Sequence, residues 1–106
     1  MPHSTFLDEF EYEIGSCRYF LGLAQEGGLK SREEYHNAVD AYGDAAKVAE
    51  DFDTSFLRER IPGLSNETYR ADRQVMFQTL AQFHEELYAF KEARDPKRDA
   101  PEAVTV

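Results

Sequence analysis

The sequence predicts an all-α protein: a long antiparallel helical hairpin preceded by a shorter N-terminal helix. Two observations carry this. From Ser65 to Arg94, the residues Tyr69, Met76, Leu80, Phe83, Leu87 and Phe90 recur at steps of three, four and seven, the spacing of one helical face. Across Ile61-Pro62-Gly63-Leu64 the same spacing runs in reverse, so that Phe56, Ala49, Ala45, Tyr42, Ala38 and Tyr35 mirror those six positions. That symmetry is the register of two helices folded back at the loop. Three of the pairs set a small residue against a large one, Ala38 with Leu87, Ala45 with Leu80 and Ala49 with Met76, which lets two helices interdigitate.

The elements follow in order. Ser4 or Thr5 caps a first helix over 5–26, with Asp8 and Glu9 near its positive end. Phe6, Phe10, Ile14, Cys17, Leu21 and Ala24 form its apolar stripe, widened by Phe20 and Leu23. Gly27-Gly28 ends it, because glycine enters the left-handed region without a Cβ clash. The second helix spans 31–60. Ser31-Arg32-Glu33-Glu34 has the pattern of a capping box, with serine at the cap and glutamate three residues on. Pro62 disfavours helical geometry at Ile61 and Gly63 eases the turn. The third helix spans 65–94, with Ser65 as its cap and Leu64 and Tyr69 spaced as a hydrophobic staple. Asp95-Pro96 stops it, and Asp95–Val106 reads as a flexible tail. The domain is thus 1–94.

Composition bounds the function. The chain has 106 residues, enough for one domain with a modest core, and its 42% hydrophobic content is not that of a disordered segment. One cysteine precludes an intrachain disulfide and fits a reducing compartment. No apolar run approaches the ~20 residues of a membrane span, and the first residues carry no export pattern, so a cytoplasmic location is expected. A net charge of −9 repels phosphate backbones, disfavours direct nucleic-acid binding, and suits a protein partner with a basic or helical surface. Asp40, Asp44 and Asp51 line one solvent face of the second helix, with Lys47 among them, and are the candidate partner-binding residues; a merely solvated face has the same pattern.

The third helix carries a second stripe, Phe77, Ala81, His84 and Tyr88, about 100° round from the first. One face meets the second helix; the other needs the first helix or another protomer. These four residues are the candidate self-association site and imply a homo-oligomer.

Chemistry finds little footing. Glu33 and His36 form the i,i+3 carboxylate–imidazole pair of helical di-metal sites, and the hairpin register places Glu92 at the level of Glu33. A di-metal bundle needs two such pairs and further carboxylates, so no metal and no cofactor is expected. Cys17 on an apolar stripe is a small buried residue before it is a nucleophile. Gly27-Gly28 stands alone and makes no phosphate loop, Asn66-Glu67-Thr68 is a chance glycosylation match, and Val104-Thr105-Val106 has the alternating end that carboxylate-capturing pockets accept.

The hairpin of residues 31–94, formed by Ser31–Arg60, Ile61-Pro62-Gly63-Leu64 and Ser65–Arg94, resembles the oligomerisation hairpin of phage-type small terminase subunits. The resemblance is architectural. It implies ring assembly through paired antiparallel helices and a role in DNA packaging beside a large motor subunit. Such subunits begin with a basic helix-turn-helix domain, whereas residues 1–30 here hold one acidic helix. The chain resembles small acidic inhibitors of the immunity or anti-defence type equally well. The expected function is therefore a non-enzymatic, self-associating acidic helical adaptor. A small acidic inhibitor of a basic nucleic-acid-binding surface and a carboxylate–histidine metal protein are the alternatives.

Overall fold

The computed structural model describes residues 5–59 and 61–94, and they form three helices: α1 (Thr5–Gln25), α2 (Ser31–Leu57) and α3 (Asn66–Arg94). The expected tail at 95–106 lies outside the described residues.

Helix α2 is the central element. Its face of Ala38, Ala41, Ala45 and Ala49 is buried, with Phe52 at the end of the row. Methyl groups make a nearly smooth wall, so neighbouring backbones come close and push large side chains onto it. From α1 come Phe10, Ile14, Cys17 and Leu21; from α3 come Met76, Leu80, Phe83 and Leu87. Burying each of the large apolar groups stabilises by about 1.5–3 kcal/mol. Helix α1 runs against α2 more intimately than α3 does, and α1 and α3 touch least. The principal close pairing is thus α1 with α2, on the alanine side.

The mirrored register of α2 and α3 is visible at both ends of the hairpin. Tyr35 stacks on Phe90 with centroids 5.4 Å apart, and Phe56 stacks on Tyr69 at 3.8 Å. Between those ends, Ala38, Ala45, Ala49, Met76, Leu80 and Leu87 all lie in one core cluster.

The corners differ from expectation in two places. Ser31 does not close a capping box. Its buried hydroxyl donates to the carbonyl of Ala24 at 2.8 Å, while Lys30 sits at the cap position of α2 without a side-chain cap bond. The physical reason is burial: the tight turn through Gly27 (φ 83°) and Gly28 (φ 96°) folds α2 over the last turn of α1. An orphan carbonyl there has no water to turn to. The serine therefore caps the end of α1. Glu34 accepts instead from Asn37 Nδ2 at 3.3 Å.

Helix α2 also stops at Leu57, earlier than the expected 60. Arg58 N–H still donates to the carbonyl of Thr54, but Glu59 then turns into the left-handed region at φ 57°. The chain reverses at a non-glycine residue, and Gly63 (φ 80°) completes the loop. The start of α3 is as expected: Ser65 Oγ accepts from the Thr68 N–H at 3.1 Å, and Leu64 and Tyr69 both pack on the core.

Candidate interaction surface

The flank of the hairpin turned away from α1 is positioned by a chain of polar and ring contacts. Asp53 of α2 accepts from the Tyr69 hydroxyl at 2.8 Å and, through both carboxylate oxygens, from Arg73 Nε at 3.1 Å. The Arg73 guanidinium in turn lies 4.6 Å from the centroid of the Phe77 ring. Two turns further on, His84 meets the edge of Tyr42 at 6.3 Å. Because Tyr42 and Asp53 of α2 touch His84 and Arg73 of α3, these residues share one side of the hairpin. Val39 and Ala46 sit one turn either side of Tyr42 and extend that side along α2.

The four stripe residues lie on this flank. Phe77 is half-buried; Ala81 and His84 are exposed, and Tyr88 is 58% exposed. Helix α1 does not cover them. It meets α3 on the other side, where the Arg18 guanidinium lies 5.2 Å from the Phe83 centroid. The sequence reading found the α3 half of the flank and set Tyr42 of α2 towards α3, but missed Val39 and Ala46. Val39 was the available signal: a β-branched residue one turn from Tyr42, which the structure leaves 38% exposed. The Asp53–Tyr69–Arg73 contacts were missed too, since charges of such ordinary type carry no sequence signature.

Asp40, Asp44 and Asp51 are all exposed, with Lys47 exposed among them, on the face of α2 opposite the alanines. Glu33 and His36 are exposed in the first turns of α2, and the structure does not gather them with Glu92. Among the described residues, no group of three or more His, Cys, Asp or Glu side chains is placed to hold a metal ion.

Cys17 is fully buried. Burial, and then the negative charge of Glu86, push its thiol up to about 11 against the opposing pull of Arg18. It stays protonated and packs as a small apolar group. Burial also raises the phenols of Tyr35, Tyr42 and Tyr69; for Tyr69 the hydrogen bond to Asp53 adds to it. A phenol that remains a donor suits its place as the bridge from α3 to α2.

The described residues form open depressions on the surface. A shallow depression of about 380 Å³ lies on α3, lined by Arg70, Arg73, Gln74, Phe77, Gln78 and Ala81. A second, of about 470 Å³, lies between α1 and α2, lined by Asp8, Glu9, Tyr12, Glu13 and Val48. Among the described residues no helix is long and apolar enough to cross a membrane.

Compared with known proteins, the chain matches no protein-family model, no curated protein and no solved structure.

Proposed function

We propose that the protein is a non-enzymatic, self-associating acidic helical adaptor that engages a protein partner. The observation that carries this is the α3 strip of Phe77, Ala81, His84 and Tyr88, which α1 leaves uncovered along one flank of the hairpin. Aromatic and aliphatic groups held in one row on a rigid helix are typical interface anchors. The likeness of residues 31–94 to a small terminase hairpin gives the reading its specific form, a small-terminase-like subunit in phage-type DNA packaging.

Sedimentation tests the self-association. At tens of micromolar the protein is expected to sediment above its 12.2 kDa protomer mass. Phe77→Glu is expected to give a folded protomer of near-native helicity, since Phe77 is only half-buried and the fully buried core is untouched. A clean 12.2 kDa monomer for the unmodified chain rejects the oligomer and leaves the acidic inhibitor as the better reading.

The partner-facing surface is the exposed row of Asp40, Asp44 and Asp51. Charges of this kind steer encounter more than they hold a complex together. With a basic partner recovered by pull-down, changing all three to Asn is expected to slow association by about tenfold at low ionic strength, and added salt to slow the unmodified protein likewise. An on-rate indifferent to both changes makes these three aspartates solvated surface only.

A further inference from the structure

The geometry points to a head-to-tail contact between copies, in which the α3 flank of one protomer seats in the α1–α2 groove of the next. This rests on the self-association proposed above and specifies how it is built. The two surfaces are complementary in charge. The α3 depression is lined by two guanidinium groups, Arg70 and Arg73; Arg73 is already paired with Asp53 of α2, so Arg70 is the cation that a neighbour's carboxylates would meet. The α1–α2 groove is lined by three carboxylates, Asp8, Glu9 and Glu13. Copies of a chain carrying a net charge of −9 repel one another, so a contact that brings unlike charges together overcomes a barrier that a like-with-like contact does not.

They are complementary in form as well. The α3 surface is carried by a single helix, with Phe77 and Ala81 on its flank and only a shallow depression between its side chains. The other is a furrow between two helices, which is what a helical ridge packs into. Tyr12, 73% exposed, stands at the furrow beside Val48 and offers the aromatic anchor.

The two surfaces also lie on opposite sides of the molecule. Val48 lies ~160° round α2 from Ala46, at ~100° per residue, so the furrow and the α3 flank do not compete for space. A bound pair then keeps one free surface of each kind. Such a contact repeats until it closes as a ring or continues as a filament.

Two variants at exposed positions test it. Ala81→Glu sets a carboxylate on the α3 side against the acidic furrow, and Tyr12→Arg removes the anchor and sets a cation against Arg70. Each alone is expected to sediment as a protomer with unchanged helicity. Mixed one to one, they are expected to form a complex of twice the protomer mass and no larger, because one intact furrow and one intact flank remain. Glu9→Arg, also exposed, stands in for Tyr12→Arg if that variant loses helicity. Tyr12→Arg assembling like the unmodified chain, or a mixture that stays at protomer mass, overturns the head-to-tail contact while the self-association stands. An unmodified chain that is itself a protomer overturns both.

Discussion

Phe52→Ala is expected to cost about 3–5 kcal/mol, a large share of the ~5–15 kcal/mol typical of a folded domain. Phe52 is fully buried and is the point where the three helices meet. Its ring lies 5.7 Å from that of Phe6 on α1 and 5.4 Å from that of Tyr69 on α3. Truncation removes the apolar transfer energy and leaves a void that three backbones would have to collapse to fill. Urea unfolding followed by circular dichroism measures the loss, with Leu57→Ala as the control. Leu57 is 73% exposed one turn beyond, and its truncation is expected to stay within about 0.5 kcal/mol. A loss below 1 kcal/mol for Phe52→Ala would mean that the helices do not converge on this ring.

The second large effect lies in the middle of the hairpin. Leu80→Ala is expected to destabilise by about 2–5 kcal/mol through the cavity it leaves, and Ala45→Leu by about 1–3 kcal/mol through overpacking. Both residues are buried in the core cluster, Ala45 at 0% and Leu80 at 6% exposure, and the register bracketed by the Tyr35–Phe90 and Phe56–Tyr69 stacks sets them at one level. Combined, the two changes exchange volume across the seam and are expected to recover part of the loss. Strictly additive losses in a denaturant double-mutant cycle would place the two side chains out of contact.

The hairpin register was legible because apolar residues recur at helical spacing on both arms, large on α3 and mixed large and small on α2. The face of α1 was legible for the same reason: Phe10, Ile14, Cys17, Leu21 and Ala24 are all buried. What was not legible is which pair of helices comes closest. The row of Ala38, Ala45 and Ala49 looked like the small half of a seam with α3. Ala41, one turn before Ala45 and also buried, widens that row towards α1. A small residue accepts a neighbour from either side, and only the packed structure says which helix exploits it. Ser31 shows a second limit. Serine followed by glutamate three residues on satisfies the capping-box pattern, yet the hydroxyl went to the buried carbonyl of Ala24, which has the greater need of a donor. Of the interaction surfaces, the sequence exposed the α3 strip by its periodicity. The furrow of Asp8, Glu9, Tyr12, Glu13 and Val48 stayed hidden, because it exists only once α1 is laid beside α2.

The contacts running from Asp53 through Arg73 to Phe77 have a consequence for the thermodynamics of assembly. An exposed arginine and a surface phenylalanine ordinarily sample several rotamers, and freezing each on binding costs about 0.5–1.5 kcal/mol. Here the carboxylate of Asp53 holds Arg73 at 3.1 Å, and Arg73 lies over the Phe77 ring at 4.6 Å. Part of that ordering is therefore complete in the free protomer. In the proposed head-to-tail contact the α3 flank would meet its neighbour already shaped, leaving more of the contact energy to hold the assembly together.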